Sequence, residues 1–101
     1  MEAPTLEVYE KAKAACGDAL LLFRFANFYE AFYDDALMLA RVGKLLVTSP
    51  DDSNVPMCGF PVHQLDARLK ALIAAGERVA VCDSVEDEPK EVADSGQKRL
   101  F

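Results

Sequence analysis

Residues 19–25 read ALLLFRF. In an extended chain Leu21, Phe23 and Phe25 point to one side, and Leu20, Leu22 and Arg24 to the other. Both sides are therefore largely apolar. A strand of this kind has to lie inside a sheet, with further layers packed on each face. The flanking sequence supplies such layers. Over 5–16, Leu6, Tyr9, Ala12 and Cys16 share one helical face, with Pro4 and Thr5 as a start and Gly17 as a stop. Over 32–42, Phe32, Ala36, Leu39 and Ala40 keep helical spacing, Asp34 and Asp35 sit near the positive end of the helix dipole, and Gly43 ends the run.

The rest of the chain alternates in the same way. Residues 44–48 (KLLVT) are predicted as a short strand and 49–54 (SPDDSN) as an exposed turn. The segment VPMCGFPVH, 55–63, is held extended with a sharp turn by two prolines and a glycine. A third helix over 64–75 buries Leu65, Leu69, Leu72 and Ile73 and stops at Gly76. Residues 78–82 form another strand. The remainder is acidic until Lys98, Arg99, Leu100 and Phe101, and reads either as a loop leading into an edge strand over 90–101 or as a frayed end. The order predicts an α/β fold of the α+β type, a mixed β-sheet flanked by about three helices, in a single domain over 1–101.

Composition narrows the function classes. A chain of 101 residues with 51% apolar and 28% charged residues supports one modest core. No apolar run approaches the roughly 18 residues that span a bilayer. The N-terminus lacks the order of a signal peptide, so no membrane partner is expected and the predicted location is cytoplasmic. Cys16, Cys58 and Cys82 are odd in number and widely spaced, which suggests neither a disulfide framework nor a Cys-x-x-Cys site. A single histidine, His63, argues against zinc, and the five glycines form no phosphate-binding loop, so no cofactor is expected. The net charge of −6 matters more. Proteins that grip duplex DNA through phosphates are usually basic, so this chain binds nucleic acid weakly alone or leaves the backbone grip to something else.

Three constellations could carry chemistry. Cys58, His63 and Asp66 include the parts of a cysteine hydrolase, yet a stiff proline-containing stretch separates nucleophile from base and no oxyanion loop is apparent. His63 is better read as a hydrogen-bonded tie between this loop and the third helix. Asp34–Asp35 and Asp51–Asp52 are paired acids, but neighbouring carboxylates on a helix diverge by about 100° and do not share a metal. The third is Phe28, Tyr29 and Glu30, where one strand runs out and a helix has not begun. Phe28 either completes the core of Phe23 and Phe25, with Glu30 capping or solvating the next helix, or it points outward with Glu30 as an apolar wedge beside a hydrogen-bonding group. A wedge in the minor groove unstacks a base step at a cost of a few kcal/mol, least where pairing is already weak.

Taken together, LLLFRFANFYEAFYDDA (20–36), PMCGFPVH (56–63) and GERVAVCDSVEDEP (76–89) resemble the N-terminal mismatch-recognition domain of the MutS family, in the same order along residues 6–89. The resemblance implies a mixed sheet flanked by helices. It also implies that the phenylalanine of a Phe-x-Glu motif stacks on a mispaired or unpaired base while the glutamate hydrogen-bonds that base. By position these are Phe28 and Glu30, with Asn27, Thr48 and Met57 as weaker contacts; Arg24 and Lys44 read equally as neutralisers of phosphate or as ordinary surface or core-edge residues. Phosphates near Glu30 would raise its pKa by charge repulsion. The implied partners are double-stranded DNA with a mismatch or small loop, bound weakly by the isolated domain, and the other domains of a MutS-like parent. The family's ATPase motifs are not in this chain, which is expected to be no enzyme.

Four departures stand out. Ala26–Asn27 replace a usual Gly-Asp, and Ser49–Pro50 stand where Lys-Arg is frequent. Asp83–Ser84 replace Glu-Gln, and Glu88 is inserted before Pro89. With the acidic charge, these leave open a rival reading: a freestanding interaction module that kept the fold and lost DNA binding.

Overall fold

The computed structural model describes residues 6–49, 54–84 and 87–92. Along the chain come α1 (Leu6–Cys16), β1 (Leu20–Phe25), β2 (Phe28–Phe32), α2 (Tyr33–Gly43) and β3 (Met57–Pro61). A 3-10 turn (Val62–Gln64), α3 (Leu65–Ala74), β4 (Val79–Cys82) and β5 (Lys90–Val92) follow. Among the described residues this is an α+β fold of three helices on a five-stranded sheet ordered β3-β2-β1-β4-β5. β1 and β4 run parallel and the other neighbours antiparallel, so the sheet is mixed.

β1 occupies the centre, as its two apolar faces require. On one face Leu20, Leu22, Tyr29, Ala31, Cys58, Phe60 and Val79 meet Ala36, Leu39 and Ala40 of α2 and Leu72 of α3. On the other Leu21, Phe23, Phe32, Ala80 and Cys82 meet Tyr9 of α1. Two layers of helix thus cover one sheet, which removes both apolar faces of the central strand from water.

Two expected boundaries are corrected. FYEAF is not the join between a strand and a helix but a full strand, β2, paired on both edges. Phe25 pairs with Phe28, so Ala26 and Asn27 alone turn the chain, with Ala26 at a left-handed φ of 54°. Two-residue hairpins need such a positive φ, and glycine supplies it most readily. The second correction concerns KLLVT, which does not form a strand. Lys44 adopts φ 56° and caps α2, and the N–H groups of Lys44 and Leu45 both return to the Ala40 carbonyl. Only Thr48 pairs, through an isolated antiparallel bridge to Met57.

VPMCGFPVH is extended as expected over β3, with Pro56 before the strand and Pro61 its last residue, and the chain turns only after it, at Val62–Gln64. Met57 exchanges both backbone bonds with Thr48, on the side away from β2. By the two-residue period, Gly59 and Pro61 also turn their backbone nitrogens to that outer side. Pro61 therefore gives up no bond to β2. β5 forms the far edge of the sheet on β4. The expected turn at 50–53, including Asp51–Asp52, and the tail at 93–101 lie outside the described residues.

Candidate nucleic-acid interface

The hairpin and the first half of β2 hold the residues of interest. Side chains alternate along β2: Tyr29 and Ala31 enter the core beneath α2 and α3, while Phe32 enters the core beneath α1. Phe28 and Glu30 thus share the α1 side of the sheet with Phe32. Helix α1 covers Phe32 but not the hairpin end. Phe32 is 3% exposed and Tyr29 4%, whereas Phe28 is 47% exposed. The core role open to Phe28 in the sequence is not the one it takes.

Strand register sets its surroundings. Phe25, Phe28 and Pro61 form one row across β1, β2 and β3. Phe23, Glu30 and Gly59 form the next. Glu30 is partly buried, and its Oε1 is shielded from solvent with no hydrogen-bond partner among the described residues. Burial pushes the Glu30 carboxyl above the ordinary glutamate range. The upward direction is the one the sequence suggested, but its cause lies within the fold and needs no phosphate nearby. Glu30 does not cap the next helix: the N-cap position of α2 is Phe32, and no side-chain hydrogen bond caps it.

The other expected contacts divide into two groups. Asn27 is exposed in the hairpin turn beside Phe28, and its carbonyl accepts the Val62 N–H at 2.8 Å. That bond ties the turn to the end of β3. Thr48 and Met57 lie at the opposite end of β2, where Met57 pairs with Phe32 and packs against the α1-side core. Four residues of strand, about 13 Å, separate that end from Phe28. Arg24 is exposed and its Nε donates to the Ala26 carbonyl at 3.1 Å, bracing the turn. Lys44 is exposed at the C-terminal cap of α2.

Tyr29, between the two outward residues, has a different task. Its hydroxyl donates to Asp83 Oδ1 at 2.7 Å, linking β2 to the end of β4. Cys58 faces the α2–α3 core, fully buried, and burial pushes its thiol up rather than down. His63 and Asp66 are exposed, and no hydrogen bond joins the three among the described residues. The tie expected from the His63 side chain is not among the hydrogen bonds of the described residues either. Arg68 makes a different link, donating from Nη1 to the Gly43 carbonyl at 3.0 Å and from Nη2 to Gln64 Oε1 at 2.8 Å, which ties α3 to the end of α2 and to the 3-10 turn. No cluster of three potential metal ligands occurs among the described residues.

Sequence reasoning credited Gly59 only with shaping a turn, not with a close approach inside a strand. A Cβ built there would lie 2.8 Å from the Tyr29 carbonyl oxygen and 3.1 Å from Glu30 Cγ. A glycine inside a strand pattern is itself a signal of close approach.

The fold and this surface define a small α+β module that presents an exposed aromatic ring and a shielded carboxylate on one sheet face, beside a two-residue hairpin. The chain belongs to the MutS domain I family, whose sequence pattern matches residues 3–99. It is similar to the DNA mismatch repair protein MutS of Rhodopirellula baltica, 55% identical over 83% of the chain and 10% of that relative. The protein of the same name from Methanothrix thermoacetophila is 44% identical over 88% of the chain and 11% of its own length. That from Bartonella quintana is 41% identical over 96% of the chain and 11% of its own length. The chain thus spans about a tenth of the length of these relatives. Among the described residues no helix is long and apolar enough to cross a membrane.

Proposed function

We propose that this chain, as one module over residues 1–101, recognises mismatched double-stranded DNA on behalf of a MutS-type repair protein in the cytoplasm. Phe28 acts as the wedge and Glu30 as the group that hydrogen-bonds the disturbed base. Asn27 follows the wedge towards the groove, and Thr48 and Met57 make lesser contacts along the duplex. The observation that carries this reading is one pairing on one sheet face. An aromatic ring is left exposed two residues from a carboxyl oxygen left without a partner.

The chemistry is that of binding alone. An apolar ring entering the minor groove forces two base pairs apart, at a cost of a few kcal/mol that a mismatch has already partly met. The ring then discriminates by stacking. Glu30 Oε1, without a hydrogen-bond partner among the described residues, gains one only when a base is displaced towards it. Burial favours its protonated form, which donates to a base acceptor as readily as the ionised form accepts from a donor. Other domains of a longer parent supply the phosphate grip and any nucleotide hydrolysis. With a net charge of −6, the isolated chain binds weakly and loses affinity steeply with salt.

Fluorescence anisotropy at low salt tests this, with matched, G·T and single-base-loop duplexes, for wild type and Phe28→Ala. Preference for the defective duplexes that disappears in the variant supports the reading. The acidic charge favours a second reading, an interaction module without DNA binding. It predicts equal or absent binding to all three duplexes, with no recovery of mismatch selectivity when the chain replaces the matching domain of a full-length relative.

A further inference from the structure

We infer that Gly59 of β3 is a positioning residue for Glu30: its bare backbone is the floor on which the Glu30 side chain lies, and it holds the carboxyl shielded and unpartnered beside Phe28. The inference deepens the role proposed for Glu30 and rests on that reading only for its consequence in DNA binding.

The register places Glu30 directly opposite Gly59. Met57 spends both backbone groups on Thr48, away from β2, so Gly59 two residues on also points its N–H and carbonyl outward. Glu30 and Gly59 therefore form a pair without mutual backbone bonds, the kind in which opposed side chains approach most closely, with Cα atoms about 4.5 Å apart. Any side chain at 59 would occupy the space that Glu30 uses. A Cβ there would meet Glu30 Cγ at 3.1 Å and the Tyr29 carbonyl oxygen at 2.8 Å. The carbonyl belongs to the strand and cannot swing aside, so the strand spacing must give there, and the flexible Glu30 side chain must leave its place as well.

The backbone gives no other reason for glycine. Among the described residues the glycines at left-handed φ are Gly17 and Gly76, not Gly59. A glycine inside a strand costs entropy and packs nothing, so its presence calls for a close approach. Two groups make that approach, the Tyr29 carbonyl oxygen and, beside it, the Glu30 side chain. Ion pairing does not hold the carboxyl either: the salt bridges of the described residues join Lys13 to Asp35 and Arg78 to Glu91.

The experiment is NMR of the ¹³C,¹⁵N-labelled chain without DNA, followed by anisotropy with DNA. In wild type, Gly59 Hα gives nuclear Overhauser contacts to the Glu30 Hγ protons, and the Glu30 carboxyl carbon titrates above the ordinary glutamate range. Absence of those contacts overturns the inference, whether or not Gly59→Ala folds. In folded Gly59→Ala the titration returns to the ordinary range; an unchanged titration also overturns it. With G·T and matched duplexes, Gly59→Ala lowers selectivity as far as Glu30→Ala, and the double variant falls no further. A further loss in the double variant means that Gly59 acts by another route. Wild type without any selectivity overturns the DNA reading instead, and the NMR arm still decides the positioning role.

Discussion

The backbone N–H of Leu21 donates to Asp35 Oδ2 at 3.0 Å, a side chain standing in for a strand. β2 pairs with β1 from Phe28 to Glu30 and then leaves, turning into α2 at Tyr33 with φ 58°. The next rung of the ladder would belong to Leu21. Asp35 fills it, and the same oxygen accepts the Tyr9 hydroxyl at 3.0 Å and pairs with Lys13 Nζ at 2.8 Å. One carboxylate thereby joins α1, β1 and α2, in the first turn of α2 where the dipole also favours it.

Asp35→Ala consequently leaves the buried Leu21 N–H without its acceptor and the Tyr9 hydroxyl with only the longer bond to the Phe32 carbonyl, at 3.4 Å. The expected loss is about 2–4 kcal/mol, since an orphaned buried donor costs about 1–3 kcal/mol and the lost tyrosine bond adds about 1 kcal/mol. Asp34→Ala, one residue earlier on an exposed position, is expected to stay within about 0.5 kcal/mol of wild type. Urea denaturation separates the two. Equal midpoints would contradict the rung assigned to Asp35.

Much of this architecture is written in local pattern. The apolar faces of Leu20–Phe25 require a central strand, and the spacing of Leu65, Leu69 and Leu72 requires a helix. What escapes is what depends on partners distant in sequence. Asp35 looks like a dipole residue until β2 is seen to leave Leu21 bare. β2 itself hides because Ala26–Asn27 is not a glycine-containing turn, and because its aromatic residues suit core and surface alike. Exposure of Phe28 depends on how far α1 reaches across the sheet, which no periodicity records. The shielding of Glu30 depends on a glycine 29 positions further along the chain.

Backbone strain at two positions gives a second expectation. Ala26 and Lys44 hold φ of 54° and 56°, in the region that costs an L-residue about 1–2 kcal/mol. Glycine removes that cost and adds roughly 0.5–1 kcal/mol of entropy. Ala26→Gly and Lys44→Gly should each raise stability by about 0.5–1 kcal/mol, additively because the sites lie in separate turns. Chemical denaturation of the two singles and the double checks this; a destabilised Ala26→Gly would mean that the turn is not strained.

The Glu30 carboxyl gives stability a specific dependence on pH. Burial raises its pKa in the folded chain above the unfolded value, so the folded state binds the proton more tightly. The stabilisation this brings is fully present below the ordinary glutamate pKa and is lost as pH rises through the raised folded value. Glu30→Gln is neutral throughout and escapes that loss. Relative to wild type it should gain stability across this window and then hold a constant advantage at higher pH. Urea midpoints at a series of pH values measure the difference, and a pH-independent difference would count against burial of the carboxyl.

Phe28 offers the sharpest separation between packing and recognition. A core phenylalanine cut to alanine costs about 3–5 kcal/mol, and Phe23, 1% exposed, should lie in that range. Phe28 is 47% exposed and should lose less than about 1 kcal/mol. Stacking of an aromatic on a base is worth about 1–3 kcal/mol, so the preference of Phe28→Ala for a G·T duplex over a matched one should fall by roughly 5- to 150-fold. Thermal unfolding and anisotropy on the same preparation decide the point. A variant that keeps its melting temperature and loses its selectivity has lost a recognition group. One that melts early while keeping its selectivity has lost a core residue, and the wedge would then have to be sought elsewhere on the sheet.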